Sequence, residues 1–154
     1  MIKLKNEYMK LDDKDLVLVG GKAGIGKTRF IVNEVNNSQR ENKVLFLSLE
    51  KKLDELRYDY NIQRSNNLTI INNENELEET LQKEEYDYLY IDHFSLLGNL
   101  SLEILTNYIN EYSIKIFMTD FIKINEKDEK YLEDKYNLLT RIYILKEENL
   151  KALK

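Results

Sequence analysis

Eight consecutive residues, Gly21-Lys22-Ala23-Gly24-Ile25-Gly26-Lys27-Thr28, constrain this chain more than any other stretch. Before them runs Leu16-Val17-Leu18-Val19, an apolar segment that reads as a buried strand. After them Phe30, Ile31, Glu34 and Val35 recur at helical spacing. A glycine-rich turn leading from a strand into a helix, with the pattern G-x-x-x-x-G-K-[ST], is a cradle for nucleotide phosphates. Glycines at 21, 24 and 26 let backbone N–H groups converge on phosphate oxygens where side chains would block the approach. The helix start adds its partial positive charge. In such a cradle Lys27 reaches the β- and γ-phosphates, and the Thr28 hydroxyl ligates Mg²⁺. All eight residues, 21 to 28, are candidate nucleotide contacts.

The size of the chain sets what can surround that turn. At 154 residues it suits one domain, 1–154, built on a single core. A composition 42% hydrophobic and 33% charged is that of a globular protein, not a disordered one. No apolar run approaches the roughly 20 residues of a membrane span and no signal-peptide pattern opens the chain, so a cytoplasmic location without membrane contact is expected. The absence of cysteine excludes disulfides, thiolate metal sites and thiol nucleophiles, and a single histidine excludes a multi-histidine metal site. A net charge of −5 with Lys and Arg scattered along the chain argues against strong autonomous nucleic-acid binding, while leaving room for a local basic patch or for binding by an oligomer.

Strand and helix patterns alternate along nearly the whole sequence, which predicts an α/β fold: a mostly parallel sheet covered by helices. The expected strands are 16–20, 43–48, 68–71, 86–91, 114–119 and 141–145. The expected helices are 27–38, 51–58, 74–84 and one running to 112 with Ser101 as its cap. Residues 125–137 read as a loop or a loosely held helix, 146–154 as a polar tail, and the first fifteen as a short lead-in.

A phosphate cradle needs a carboxylate to hold the Mg²⁺ shell, delivered at the end of a neighbouring hydrophobic strand. Tyr88-Leu89-Tyr90-Ile91-Asp92 fits, because the carboxyl ends of parallel strands face the ligand crevice. Asp92 is then a metal ligand, or else it caps a turn. Hydrolysis also needs a group that orients or deprotonates water. Glu50 is the first acidic residue after the second main strand, at the same sheet edge. It is a candidate for that task, or it belongs to a solvated charge run with Lys51, Lys52, Asp54 and Glu55. His93, beside Asp92, either senses phosphate or a neighbouring subunit or is structural.

Taken together, four segments resemble the RecA-like ATPase core, and most of all the motor domain of DnaB-type replicative helicases. They are Gly21–Thr28; Val44-Leu45-Phe46-Leu47-Ser48-Leu49-Glu50, similar to the strand ending in that family's Ser-Leu-Glu; 89–97, similar to its Ile-Asp-Tyr-Leu-Gln-Leu; and 141–148, similar to its closing strand. The resemblance covers roughly 16–148. It implies a three-layer P-loop NTPase using ATP and Mg²⁺, with Lys27 and Glu50 catalytic, Glu50 as the base, and Thr28 and Asp92 on the metal. It also implies a homo-oligomer or a replication-protein partner and contact with single-stranded DNA.

Several positions depart from the family pattern. Asp120 stands where the helicases carry a γ-phosphate-sensing Gln. Only 98–113 separates the magnesium strand from the sensor strand, where DNA-contacting loops normally lie. The tail offers Lys151 and Lys154 but no arginine as a finger for an adjacent subunit, and a motor core without the family's separate N-terminal domain is expected. These departures leave room for a second reading, a non-catalytic helicase-like adaptor that docks on a replication protein. A third comes from Lys22–Thr28, which is similar to the Lys-Gly-Gly-x-Gly-Lys-Thr of ParA/MinD-type partition ATPases. There the first lysine, here Lys22, reaches a partner's nucleotide. A small phosphotransferase fits least, because Arg29, Arg40, Arg57, Arg64 and Arg141 do not cluster as a lid would require.

Overall fold

The computed structural model describes residues 2–3, 16–21, 26–93, 96–112, 114–121 and 141–144. Within them seven strands form one sheet: β1 (Ile2–Lys3), β2 (Leu16–Gly21), β3 (Val44–Ser48), β4 (Leu68–Ile71), β5 (Tyr88–Asp92), β6 (Lys115–Phe121) and β7 (Arg141–Ile144). Their order is β1-β7-β2-β6-β5-β3-β4, and every pairing is parallel. Parallel neighbours need crossovers, and helices supply them: α1 (Lys27–Ser38), α2 (Leu53–Tyr58), α3 (Leu77–Lys83) and α4 (Asn99–Glu111). The expected lead-in thus includes a short strand, which pairs with β7 at the sheet's edge.

Covering both faces explains why the strands read as continuous apolar runs. All five residues of β3 are buried. Alternate residues go to opposite faces. Leu45 and Leu47, Leu89 and Ile91, and Ile116 and Met118 join the α3/α4 layer through Leu77, Leu81, Leu105 and Tyr108. Val44 and Phe46, Tyr90, and Phe117 join the α1/α2 layer through Phe30, Ile31, Val35 and Leu56. Helix α1 lies across β5 and β6. Phe30 stacks on Phe117 with ring centroids 5.7 Å apart, and Phe117 meets Tyr90 at 5.6 Å, which fixes the first turn of α1 on the sheet. Burial of the Tyr90 phenol raises its pKa, and its hydroxyl bonds Ser38 near the end of the same helix.

Three expectations need correction. The strand carrying Asp92 is not the neighbour of the strand that feeds the cradle: β6 lies between β2 and β5. The predicted 74–84 helix is a 3₁₀ turn, Glu74–Glu76, followed by α3, because the Asn73 side chain accepts from the Asn75 N–H and tightens the first turn. Ser101 does not cap α4, whose N-cap is Gly98. Instead the Ser101 hydroxyl and the Gly98 N–H both donate to Glu74 Oε2 at 2.9 Å, so a carboxylate from another element satisfies the helix start. Residues 122–140 and 145–154, with the expected loop and tail, lie outside the described residues. Among the described residues no helix is long and apolar enough to cross a membrane.

Candidate nucleotide-binding site

Four strands, β2, β6, β5 and β3, end side by side at the carboxyl edge of the sheet, and the candidate residues sit at or just past those ends. Strands β3 to β6 all lie on one side of β2 and β7 lies on the other, so the order reverses at β2. That is where open parallel sheets leave a crevice for ligands. At the foot of α1, Gly26 takes φ 102° and ψ 27°, a left-handed conformation that a side chain disfavours. Its carbonyl accepts from the Phe30 N–H at 2.9 Å, so the chain enters the helix on that residue. Among the described residues no side chain caps α1. Gly21 closes β2, and Lys22, Ala23, Gly24 and Ile25 lie outside the described residues.

Parity aims Asp92 at this helix start. It shares a face of β5 with Tyr88 and Tyr90, the face on which α1 packs. The Thr28 hydroxyl donates to Asp92 Oδ2 at 2.8 Å, joining residues 64 apart in sequence. Asp92 is only 2% exposed, and a carboxylate so buried needs partners. Its second oxygen, Oδ1, accepts from Thr119 Oγ1 on β6. Thr119, wholly buried, has a further role: its oxygen accepts the His93 N–H at 3.0 Å. Two strands, β5 and β6, and the start of α1 are thereby joined through one carboxylate.

Glu50 and His93 extend the chain of contacts. Since Ser48 pairs with Asp92 in register, Glu50 and His93 emerge from adjacent strand ends. His93 Nδ1 lies 3.0 Å from Glu50 Oε2. The turn that presents Glu50 is fixed by Ser48 Oγ, which donates to the Lys51 carbonyl at 2.6 Å. Asn72 Nδ2 donates to the Ser48 and Lys51 carbonyls at 3.1 and 2.9 Å. The Glu50 side chain is 50% exposed, and its carboxyl is held below the ordinary range by the hydrogen bond from His93, then by the charges of His93, Lys51 and Lys27. Glu50 is therefore tied to the site and is not merely part of a solvated run, although Lys51 also approaches Glu55 at 4.0 Å.

Thr28, Asp92, His93 and Glu50, all singled out in the sequence, are thus connected. Asp120 pairs with Gly20 in the β2–β6 register, one strand from the cradle. Thr119 was missed. Its signal was a polar residue at the end of an apolar strand, on the Phe117 face, the same parity that marks Asp92. Among the described residues no three His, Asp or Glu side chains gather into a metal site. A cation here would draw on Thr28, Asp92, water and phosphate oxygens, the ligand set Mg²⁺ takes at nucleotide sites.

The fold is the RecA-like α/β fold. It is shared with the flagellar accessory protein FlaH from Methanocaldococcus jannaschii, at a TM-score of 0.61 and 15% identity over 87% of this chain and 72% of that one. A DnaB-like replicative helicase, described with its interactions with primase, matches at a TM-score of 0.55 and 13% identity over 76% of this chain. The chain spans 42% of the length of that helicase. No protein-family model matches the sequence, and no curated protein matches it. At these identities the likeness establishes the architecture alone, and one architecture hosts many functions.

Proposed function

We propose that this chain binds a nucleoside triphosphate, ATP, with Mg²⁺, and hydrolyses it as a compact RecA/DnaB-type motor core serving DNA replication or recombination. The observation that carries the reading is the Thr28–Asp92 hydrogen bond. It joins the last residue of the phosphate-cradle motif to a buried carboxylate across an intervening strand. A chance glycine turn gives no reason for that pairing.

The residues present suit Mg²⁺ and a triphosphate. Amides of 21–28 would cradle the phosphates, with Gly26 already in the left-handed conformation the turn requires. Lys27 would neutralise the β- and γ-phosphates, and the Thr28 hydroxyl and Asp92 would hold the metal and its water. Held by Thr28 and Asp92, the cation would supply charge neutralisation at the terminal phosphate. Glu50, ionised at neutral pH, orients the attacking water and takes up its proton as the bond from the terminal phosphorus to its bridging oxygen breaks.

Phosphate release by the purified protein tests this. Turnover should exceed that of Lys27→Ala, and Glu50→Gln should abolish it while preserving nucleotide binding. Turnover unaffected by Glu50→Gln removes that residue from the mechanism. Nucleotide binding without any phosphate release favours the adaptor reading, in which the chain docks on a replication protein. Assembly that appears only with Mg²⁺-ATP, and is lost in Lys22→Ala, would favour the partition-type reading.

A further inference from the structure

We infer that His93 is a positioning residue that holds the Glu50 carboxylate at the γ-phosphate end of the site, a role that rests on the proposed ATPase reading. Two contacts hold His93, one at its backbone and one at its ring. At its backbone, His93 has φ 69°, in the left-handed region, and its N–H is tied to Thr119 Oγ1 at 3.0 Å. At its ring, Nδ1 meets Glu50 Oε2 at 3.0 Å. A non-glycine residue in that backbone region persists only where its surroundings over-determine it. Here the surroundings are Asp92 and Thr119, the same groups that face Thr28. The His93 backbone is therefore anchored by the residues that face Thr28, and its ring carries the contact to Glu50.

Glu50 needs such help. Its side chain is half-exposed and has three rotatable bonds, so its turn fixes where the carboxylate begins but not where it ends. An exposed ion pair contributes little to stability. The value of this one is geometric: a carboxylate misplaced by about 1 Å can cost about 100-fold in rate. Lys51 and Lys27 lend charge to Glu50, but as flexible ammonium groups they set no direction.

Two variants separate the hydrogen bond from the backbone. His93→Asn places an amide nitrogen near the position of Nδ1 and, like His, tolerates a positive φ. His93→Gly accepts the backbone conformation without cost but offers nothing to Glu50. With Mg²⁺-ATP as substrate, His93→Gly should lower kcat by about 10-fold or more, with KM and nucleotide affinity held within about two-fold. His93→Asn should recover most of the loss. A purely structural His93 predicts the opposite, with glycine at least as active as histidine. As the chain has a single histidine, its imidazole nitrogen signals can be read without assignment, and they should move in Glu50→Gln. Wild-type turnover with an equally active His93→Gly overturns the positioning role alone. A wild type no faster than Lys27→Ala overturns the hydrolytic reading and this role with it, and unmoved imidazole signals overturn the contact itself.

Discussion

Thr119→Val exchanges one hydroxyl for a methyl at the most constrained point of the site. Thr119 is wholly buried, donates to Asp92 Oδ1 and accepts the His93 N–H. Valine keeps the shape and removes both interactions, so the swap is isosteric but not conservative. Asp92, 2% exposed, keeps the Thr28 hydroxyl alone of its two donors among the described residues, and the His93 N–H loses the Thr119 acceptor. Each buried group left short of a partner costs about 1–3 kcal/mol. Taking the lower half of that range for both gives about 3 kcal/mol. For a chain of 154 residues, about 2–4 °C of melting temperature per kcal/mol converts this to a fall of about 6–12 °C. Thr119→Ser is the control. It keeps the hydroxyl and loses one buried methyl, about 1 kcal/mol and about 2–4 °C. Thermal melts by circular dichroism at pH 7 decide between them. A valine variant that melts as high as the serine variant would refute the claim that this hydroxyl stabilises the Asp92 carboxylate.

Further outcomes follow from other contacts. Asp92→Asn should keep the fold, since both threonine hydroxyls can accept as well as donate, yet weaken Mg²⁺-nucleotide binding by about 10-fold or more in equilibrium titration. Glu74→Ala removes the acceptor for Gly98 and Ser101 and should destabilise the start of α4 by about 1–2 kcal/mol, read as faster amide exchange at residues 98–101. Burial raises the pKa of Glu34 on α1, so the folded chain holds that proton more tightly than the unfolded chain. Stability should then fall as pH rises from the ordinary carboxylate range through the raised value. Glu34→Gln should flatten that slope and raise the melting temperature at neutral pH.

Much of this architecture is legible in the sequence because a parallel sheet covered on both faces buries most residues of its inner strands. Val44–Ser48 and Tyr88–Asp92 therefore stand out as apolar runs between helical patterns. The polar residue ending such a run is conspicuous, which is how Asp92 declares itself. The order of the strands is not encoded in any local period: nothing in Lys115–Phe121 says that it inserts between β2 and β5. For the same reason Thr119 passes unnoticed, since its importance comes from which strand lies beside it. The cap on α4 escapes because Glu74 arrives from 24 residues away, whereas cap signals read from sequence are local. The Glu50–His93 contact needed the β3–β5 register, which places Ser48 opposite Asp92. Short motifs thus mark the chemistry, and the sheet decides which of them meet.

The central claim is that the turn at 21–28 and Asp92 together grip Mg²⁺ and a triphosphate. Calorimetric titration of the wild type with ATP, in Mg²⁺ and again in excess chelator, tests it most directly. The account predicts saturable binding of one nucleotide with a dissociation constant within about 1 μM to 1 mM. Affinity should drop by about 10-fold or more in chelator and again in Lys27→Ala. No heat of binding at millimolar ATP, or equal affinity with and without the metal and the lysine, would contradict it.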